Sequence, residues 1–393
     1  MPIGMSGNGN AINHPQTMGT HLSKEWIAHA RDQKFSRLPL IQHMPPARVI
    51  EGLDLWDMWQ LTRPDGSPVI ADEREYWFFL ATAMLDDPED RHDIARIRFT
   101  SRGTDGWRDH GWLLPDGWSP GSREWSGCSV LAEDGRTVTL YFTATGQRDG
   151  PHSFEQRLFE THAEFEFDGD MPVFRNWSKP VQSVAADGHW YKIADQIVAP
   201  AHGIWGFRDP CFFRDPADGA EYLLFTGSAG WTDNRLDGVI GLATRTMDGW
   251  TLQPPLIEAV GVNSEMERPH VIVRDGLYYC FWSSHGRRHA ADVGAPTGLY
   301  GMVAERFAGP WRPLNGTGLV AANPVDSPLQ AYCWWVSSEG NVISFIDYPG
   351  AKGTEPPQAR KERRAMFGGT VAPVFSLIFD GDVVQPQPAC EWE

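Results

Sequence analysis

ERPHVIVRDGLYYCFWSSH, residues 267–285, and RDPCFFRDPADGAEYLLFTGS, residues 208–228, follow one plan. Each opens on charged residues beside a proline, runs into an apolar strand, turns at Asp-Gly and continues as an aromatic strand. A third strand follows each, within GVIGLATRTMDGWTLQPPL (238–256) and GLYGMVAERFAGPWRPLNG (298–316). EWSGCSVLAEDGRTVTLYFTATG (124–146) is a third copy, and LDLWDMWQLTRPDGSP (53–68) and LQAYCWWVSSEGNVISFIDYPG (329–350) open similar units at either end of the series. Helical periodicity is nearly absent across this region. Units of about four strands repeated around an axis describe a β-propeller, and openings every 60–70 residues or so predict five blades. A two-sheet sandwich would not account for the recurring order. The predicted fold is therefore all-β, a five-bladed propeller with a funnel-shaped central pocket.

Ahead of the series, residues 1–45 are polar and read as a leader packed on the outside, with one short helix around LSKEWIAHARDQK (22–34); residues 46–393 read as a single catalytic propeller domain. The 393-residue chain is 22% charged and 41% hydrophobic, as expected of a globular protein. Its net charge of −17 disfavours nucleic acid and anionic membrane as partners and suits a neutral substrate. No apolar run reaches the ~18–20 residues needed to span a bilayer. The first residues lack a basic and then apolar signal pattern, so a cytoplasmic location, or export by a non-classical route, is expected. The cysteines at 128, 211, 280, 333 and 390 are odd in number and lack CxxC spacing, which reads as free, mostly buried thiols. Eighteen tryptophans exceed what packing requires. Most fill the core, and the remainder suit the stacking faces of a carbohydrate site.

In a propeller the first strand of every blade lines the central channel. Asp57, Asp209 and Glu267 each stand where such a strand begins, so three carboxylates from three blades are expected to meet at one end of it. Crowding like charges costs stability, which points to use. Two carboxyl groups across a scissile bond are the minimal equipment for glycoside chemistry, one an ionised nucleophile and the other an acid that keeps its proton. Glu265 lies two residues before Glu267, so on a strand both face one way and Glu265 raises the affinity of Glu267 for its proton, while Arg268 faces the other way.

The motifs GLDLWDMWQL, EWSGCSVL, WGFRDPCFF, GVNSEMERPHVIVRDGLYYCFWSSH, GLYGMVAERFAGPWRPLNGTGLVAANP, LQAYCWWV and NVISFIDYPG, in this order across residues 50–385, resemble those of the levansucrase family of fructosyltransferases, glycoside hydrolase family 68, in its Gram-negative form. The resemblance implies a five-bladed propeller acting on sucrose and fructo-oligosaccharides, without cofactor. It implies Asp57 as the nucleophile on the fructosyl carbon, Asp209 as the group holding the fructosyl hydroxyls and stabilising the transition state, and Glu267 as acid/base. Trp56 and Trp125 would wall the fructosyl pocket, and Ser126 would orient the nucleophile. Arg208, Glu265 and His285 would contact the sugars, with Gln330 on the acceptor side. Some Gram-positive relatives carry a calcium with an Asp ahead of the Glu-x-Glu-Arg motif; Ser264 stands there, so no metal is expected.

Three departures from the family pattern concern the acceptor side. Thr226 replaces a glutamate, the segment between FTGSAG and GVIGLA is short, and Trp334 stands where a Tyr-Ser-His sequence is common. Among the other charged stretches, DPEDRHD (87–93) reads as a charged loop and KGTEPPQARKERR (352–364) as a surface loop. GRRHAAD (286–292) fits either a basic rim for sugar hydroxyls or a solvated loop, and Cys211 reads as a packed thiol. The leading expectation is a retaining enzyme that cleaves sucrose and passes the fructosyl unit to sugars or water. The alternatives are a mainly hydrolytic β-fructofuranosidase and a sugar-binding propeller with little turnover, with a glycosidase acting on arabinofuranosides more distant.

Overall fold

A computed structural model describes residues 19–42, 46–199 and 203–388. Five blades of consecutive strands stand around a central channel, and the innermost strands of blades I and II pair briefly in parallel, Leu61 with Ser129 and Thr62 with Val130. Blade I comprises Leu53–Thr62, Arg74–Ala83, Arg96–Gly103 and Gly106–Trp112. In blade II the strands are Arg123–Leu131, Thr137–Thr145 and Gln156–Asp168, the last paired with both Met171–Arg175 and Val181–Val184. Blade III has Phe207–Arg214, Glu221–Ser228, Gly238–Thr246 and Gly249–Glu258. Blade IV has Glu267–Arg274, Leu277–Ser284 and Gly298–Ala304, edged by Arg312–Pro313 and Leu319–Ala322. Blade V has Ala331–Val336, Asn341–Ile346, Phe375–Asp380 and Val383–Pro388.

The strands form where β-branched and aromatic residues cluster, because such side chains pack well on a pleated surface. They turn where the backbone must enter the left-handed region. Asp275 and Gly276, with φ of 51° and 78°, join the first two strands of blade IV as the Asp-Gly pair predicts. The innermost strands are covered on both faces; every residue of Arg123–Leu131 is buried. Cys128, Cys211, Cys280 and Cys333 are free and buried, and Cys390 lies outside the described residues.

The segment before blade I lies along the outer edges of blades III and IV. Thr20–His21 pairs in parallel with Gly249–Glu258, and Leu22, Ile27 and Ala30 are buried beside it. The helix spans only Lys24–Ala28, capped by Ser23 and followed by a 3₁₀ turn, shorter than the sequence pattern suggested. Gln330 fixes this segment, with its amide donating to Pro39 O at 2.8 Å and accepting from Ile41 N at 3.2 Å.

Among the described residues blade V takes no strand from blade I, and the seam between them is closed by the Leu55 N–H to Gly369 O bond at 2.9 Å together with side chains. Asp54, fully buried, lies between Arg48 at 3.1 Å and Arg364 at 2.5 Å. Asp87 receives Arg363 at 2.5 Å and Arg360 at 2.9 Å. Arg360, Arg363 and Arg364 belong to an α-helix, Arg360–Met366. The basic run read as a surface loop is therefore a clamp, and the paired carboxylates that make it one lie some 300 residues away in sequence.

Candidate active site

Every innermost strand carries a β-bulge at the same register. In blade I, Trp56 pairs with Leu80 and Met58 with Phe79, leaving Asp57 unpaired. In blade II, Ser126 is skipped between Trp125 and Gly127. Pairing jumps from Arg208 to Cys211 in blade III, from Glu267 to His270 in blade IV and from Tyr332 to Trp335 in blade V. Asp57, Asp209, Arg268 and Cys333 occupy the left-handed region, with φ of 43°, 59°, 54° and 60°. Such backbone costs of order 1–3 kcal/mol at a non-glycine residue and clusters at functional sites. Pro210 and Pro269, which cannot donate to a ladder, take the next bulge position, which is why Asp-Pro and Arg-Pro mark these strands.

A bulge turns two consecutive side chains toward the channel where a regular strand would turn one. One ring of residues, each just ahead of its bulge, is Trp56, Trp125, Arg208, Glu267 and Tyr332. The other, at the bulge itself, is Asp57, Ser126, Asp209, Arg268 and Cys333. Both rings line a single cavity of about 380 Å³. The three carboxylates expected to converge do so, but not from equivalent positions: Asp57 and Asp209 belong to one ring and Glu267 to the other. Arg268, expected to face away, is the register equivalent of the two aspartates. Its guanidinium lies 5.4 Å from the Trp59 ring and 5.9 Å from that of Trp335, a buried cation near Asp57 and Asp209.

Polar contacts tie the rings together. Arg208 donates to Glu267 Oε1 at 2.7 Å and lies 3.4 Å from Glu265 and 3.6 Å from Asp209. Glu265 precedes the blade IV strand and pairs with Arg288 at 2.7 Å. Asp209 accepts from Ser126 Oγ at 2.6 Å and from Thr226 Oγ1 at 2.8 Å, and Arg268 N donates to Thr226 Oγ1 at 3.1 Å. Ser126 thus orients Asp209 and not Asp57, and Thr226 supports the carboxylate cluster and not the acceptor side. Tyr332 donates its hydroxyl to Glu267 Oε2 and stacks on His285 with ring centroids 3.5 Å apart.

Burial raises the Asp57 carboxyl to about 6, with Arg268 opposing and Asp209 and Glu267 adding to the rise. Burial also disfavours the charge on Glu267, but Arg208 and the Tyr332 hydroxyl outweigh it and hold that carboxyl below its usual range. This reverses the expected order in the ligand-free protein. The reason is that Arg208 sits between Glu265 and Glu267 and cancels the repulsion that was to raise Glu267. Burial, with Arg287 and Arg288 nearby, keeps the His285 imidazole neutral well below its ordinary pKa.

Trp56, Trp125 and His285 line the cavity as expected, and Gln330 does not. Gln330 holds the leading segment instead, and Trp334 is buried away from the cavity. DPEDRHD forms a 3₁₀ helix, Pro88–Asp93, that brings Glu89, Arg91 and His92 into the wall, and Arg287 and Arg288 of GRRHAAD line it as well. Asp347 completes the wall from blade V. The sequence carried a signal for Tyr332, since the residue ahead of every bulge enters the pocket. For Glu89 and Arg91 it carried none, because they come from a connection outside the repeat, and Asp347, just past the second strand of blade V, lies in a motif to which no role was given. Among the described residues no group of three or more His, Cys, Asp or Glu side chains is placed to hold a metal ion.

A family described as Levansucrase/Invertase matches residues 25–239 and 234–387. Levansucrase of Zymomonas mobilis is 34% identical over 363 residues, 83% of this chain and 80% of that protein. Among solved structures, inulosucrase from Halalkalicoccus jeotgali bound to kestose superposes with a TM-score of 0.85 at 31% identity, covering 94% of this chain and 95% of the other. Levansucrase from Gluconacetobacter diazotrophicus shares the fold, with a TM-score of 0.80 at 22% identity over 94% and 90% of the two chains.

Proposed function

This chain belongs to the levansucrase/invertase family, glycoside hydrolase family 68, and from that premise we propose that it cleaves sucrose with retention and transfers the fructosyl unit to sugars or water. The observation that carries this reading is the paired bulge rings, which bring Asp57, Asp209 and Glu267 into one pocket walled by Trp56 and Trp125.

The ionised Asp57 attacks the anomeric carbon of the fructosyl unit. The bond from that carbon to the glucosyl oxygen breaks, and the proton of Glu267 goes to the departing oxygen. Asp209, fixed by Ser126 and Thr226, holds the fructosyl hydroxyls as positive charge develops on the ring. Water or a sugar hydroxyl then attacks the same carbon, gives its proton to Glu267 and releases Asp57. Donor binding supplies the protonation this sequence needs. Sugar hydroxyls compete for Arg208 and exclude water, which weakens the hold on the Glu267 carboxylate and favours its neutral form. The proton is shared across a coupled cluster, so the apparent constants belong to the group as a whole.

A mainly hydrolytic outcome is the second reading. The short connection from Ala229 to Asp237 favours it, because a low wall at the mouth admits water. The test is incubation with sucrose, following glucose and fructose separately, with Asp57→Asn as control. Excess glucose over fructose means transfer, and equal release means hydrolysis. Inert parent protein would remove the sucrose reading.

A further inference from the structure

Asp347 immediately follows the second strand of blade V, in the SFID part of a motif given no role so far. Its backbone is fixed on both sides, N–H to Gln330 O at 3.0 Å and C=O from Gly368 N at 2.9 Å. The residue is 5% exposed and lines the cavity. Every other buried acidic side chain among the described residues has a donor or cation within reach. Asp54 and Asp87 have their arginines, Glu124 the Ile97 amide, Asp209 two hydroxyls, Asp215 the Tyr278 hydroxyl, Asp237 Lys192 and Glu265 two arginines. The Asp347 carboxylate accepts no hydrogen bond from a described residue and has no described cation within 4 Å. The carboxylate faces the open cavity, so its hydrogen bonds go to whatever fills that space, water in the empty pocket and the hydroxyl of a ligand when one is seated.

The pocket's own layout says which donor. The wall of blades III and IV is saturated with ion pairs among Arg208, Glu265, Glu267 and Arg288. Asp347 belongs to the opposite wall, with Asp57, Trp56 and Arg91; the Arg91 guanidinium lies 5.5 Å from the Trp56 ring. The charges that act on Asp347 are, in falling order, Arg91, Glu89, Arg287 and Asp57, which places it between the mouth and the floor of the pocket. We propose that Asp347 is a substrate-binding residue that accepts a hydrogen bond from a hydroxyl of the fructosyl unit seated on Asp57. The proposal rests on the fructoside reading of the site and adds a fourth carboxylate to it.

Asp347→Asn and Asp347→Ala are assayed for kcat and KM with sucrose and raffinose, donors that share the fructosyl unit and differ in leaving group. Loss of one hydrogen bond to a charged group corresponds to a fall in kcat/KM of roughly 10- to 100-fold for the alanine variant. The fall is expected to be the same for both donors, with Tm little changed because the carboxylate faces the cavity and holds no other side chain. A fall below about threefold, a fall confined to one donor, or a lowered Tm accompanying the loss would each overturn the proposal. If the parent cleaves neither donor, the functional reading fails by itself. Fructose titration followed by tryptophan fluorescence then decides the role of Asp347: weaker binding by Asp347→Ala upholds it, and equal binding ends it.

Discussion

Arg268 and Arg287 are both arginines of blade IV, and both reach the pocket. Arg268 sits in a bulge, buried to 4% exposure between two tryptophan rings. Arg287 lies in the Gly286–Arg288 turn, held by Thr354 O at 3.4 Å and Glu355 at 3.5 Å, both on another connection. The first is placed by the inner strand itself, and the second by a long contact between two connections at the mouth. Chemistry at the fructosyl carbon needs the first kind of placement, since reacting groups must be held to within a fraction of an ångström. Choice of acceptor tolerates the second kind, so the mouth can vary between relatives while the rings persist.

The hardest test of that division is removal of the reacting groups. Asp57→Asn is expected to lower sucrose turnover by about 10⁴-fold or more, as loss of a nucleophile does. Glu267→Gln is expected to lose about 10²–10⁴-fold on sucrose and much less on fructosyl fluoride, whose leaving group needs no proton. Equal losses on both donors would reassign Glu267.

A second measurement asks what the ring costs the fold. The Asp57 carboxyl is raised to about 6 from an ordinary value near 3.8. Its charge therefore opposes folding above pH 6, and the penalty fades between 6 and 3.8 as the folded protein takes up the proton. Urea unfolding at pH 7.5 is expected to find Asp57→Asn more stable than the parent by on the order of 2–3 kcal/mol, with the gap closing toward pH 4. The same ionisation should give kcat/KM an acid limb near 6. A stability gap that ignores pH would mean that backbone strain, and not charge, is what the substitution relieves.

Smaller effects sharpen the comparison. Ser126→Ala removes one of two hydroxyl donors to Asp209, and about a 10-fold fall in kcat with little change in KM is expected. At the mouth, Arg287→Ala is expected to change donor cleavage by no more than about twofold, since a partly exposed ion pair is worth about 1 kcal/mol or less. Its effect should appear in the ratio of transfer to hydrolysis, read by glucose and fructose release. A donor defect as large as that of Ser126→Ala would erase the distinction between rings and mouth.

The same division explains what the sequence disclosed. The five-fold recurrence of strand, turn and strand made the propeller legible, and the openings WDMW, RDP and ERP located the carboxylates. Register was harder to read. Alternation along a regular strand puts Arg268 opposite Glu267, and only a bulge brings both inward, so Arg268 was misplaced and Ser126 assigned to the wrong aspartate. Glu89 and Arg91 were illegible because they arrive on a connection whose position depends on partners far away in sequence, as the bond from Tyr348 to Glu89 at 2.5 Å illustrates; Asp347 stands in a recognised motif, but nothing there says that this strand end reaches the pocket. Gln330 shows the converse: a residue inside a recognised motif whose work is to hold the chain's leading segment.

The bulges also bear on how such a molecule changes over evolutionary time. A regular inner strand offers the channel one side chain per turn of the pleat, and each must suit both the channel and the packing of its neighbours. The bulged strand offers two adjacent positions, and at most of the bulge residues the demand on the backbone is only that φ be positive. Aspartate, arginine and cysteine already meet that demand in different blades of this one ring. The pocket is thus a small keyboard of paired positions in which side chains can be exchanged without rebuilding the instrument, and new chemistry at the floor requires a change of residue rather than a change of fold.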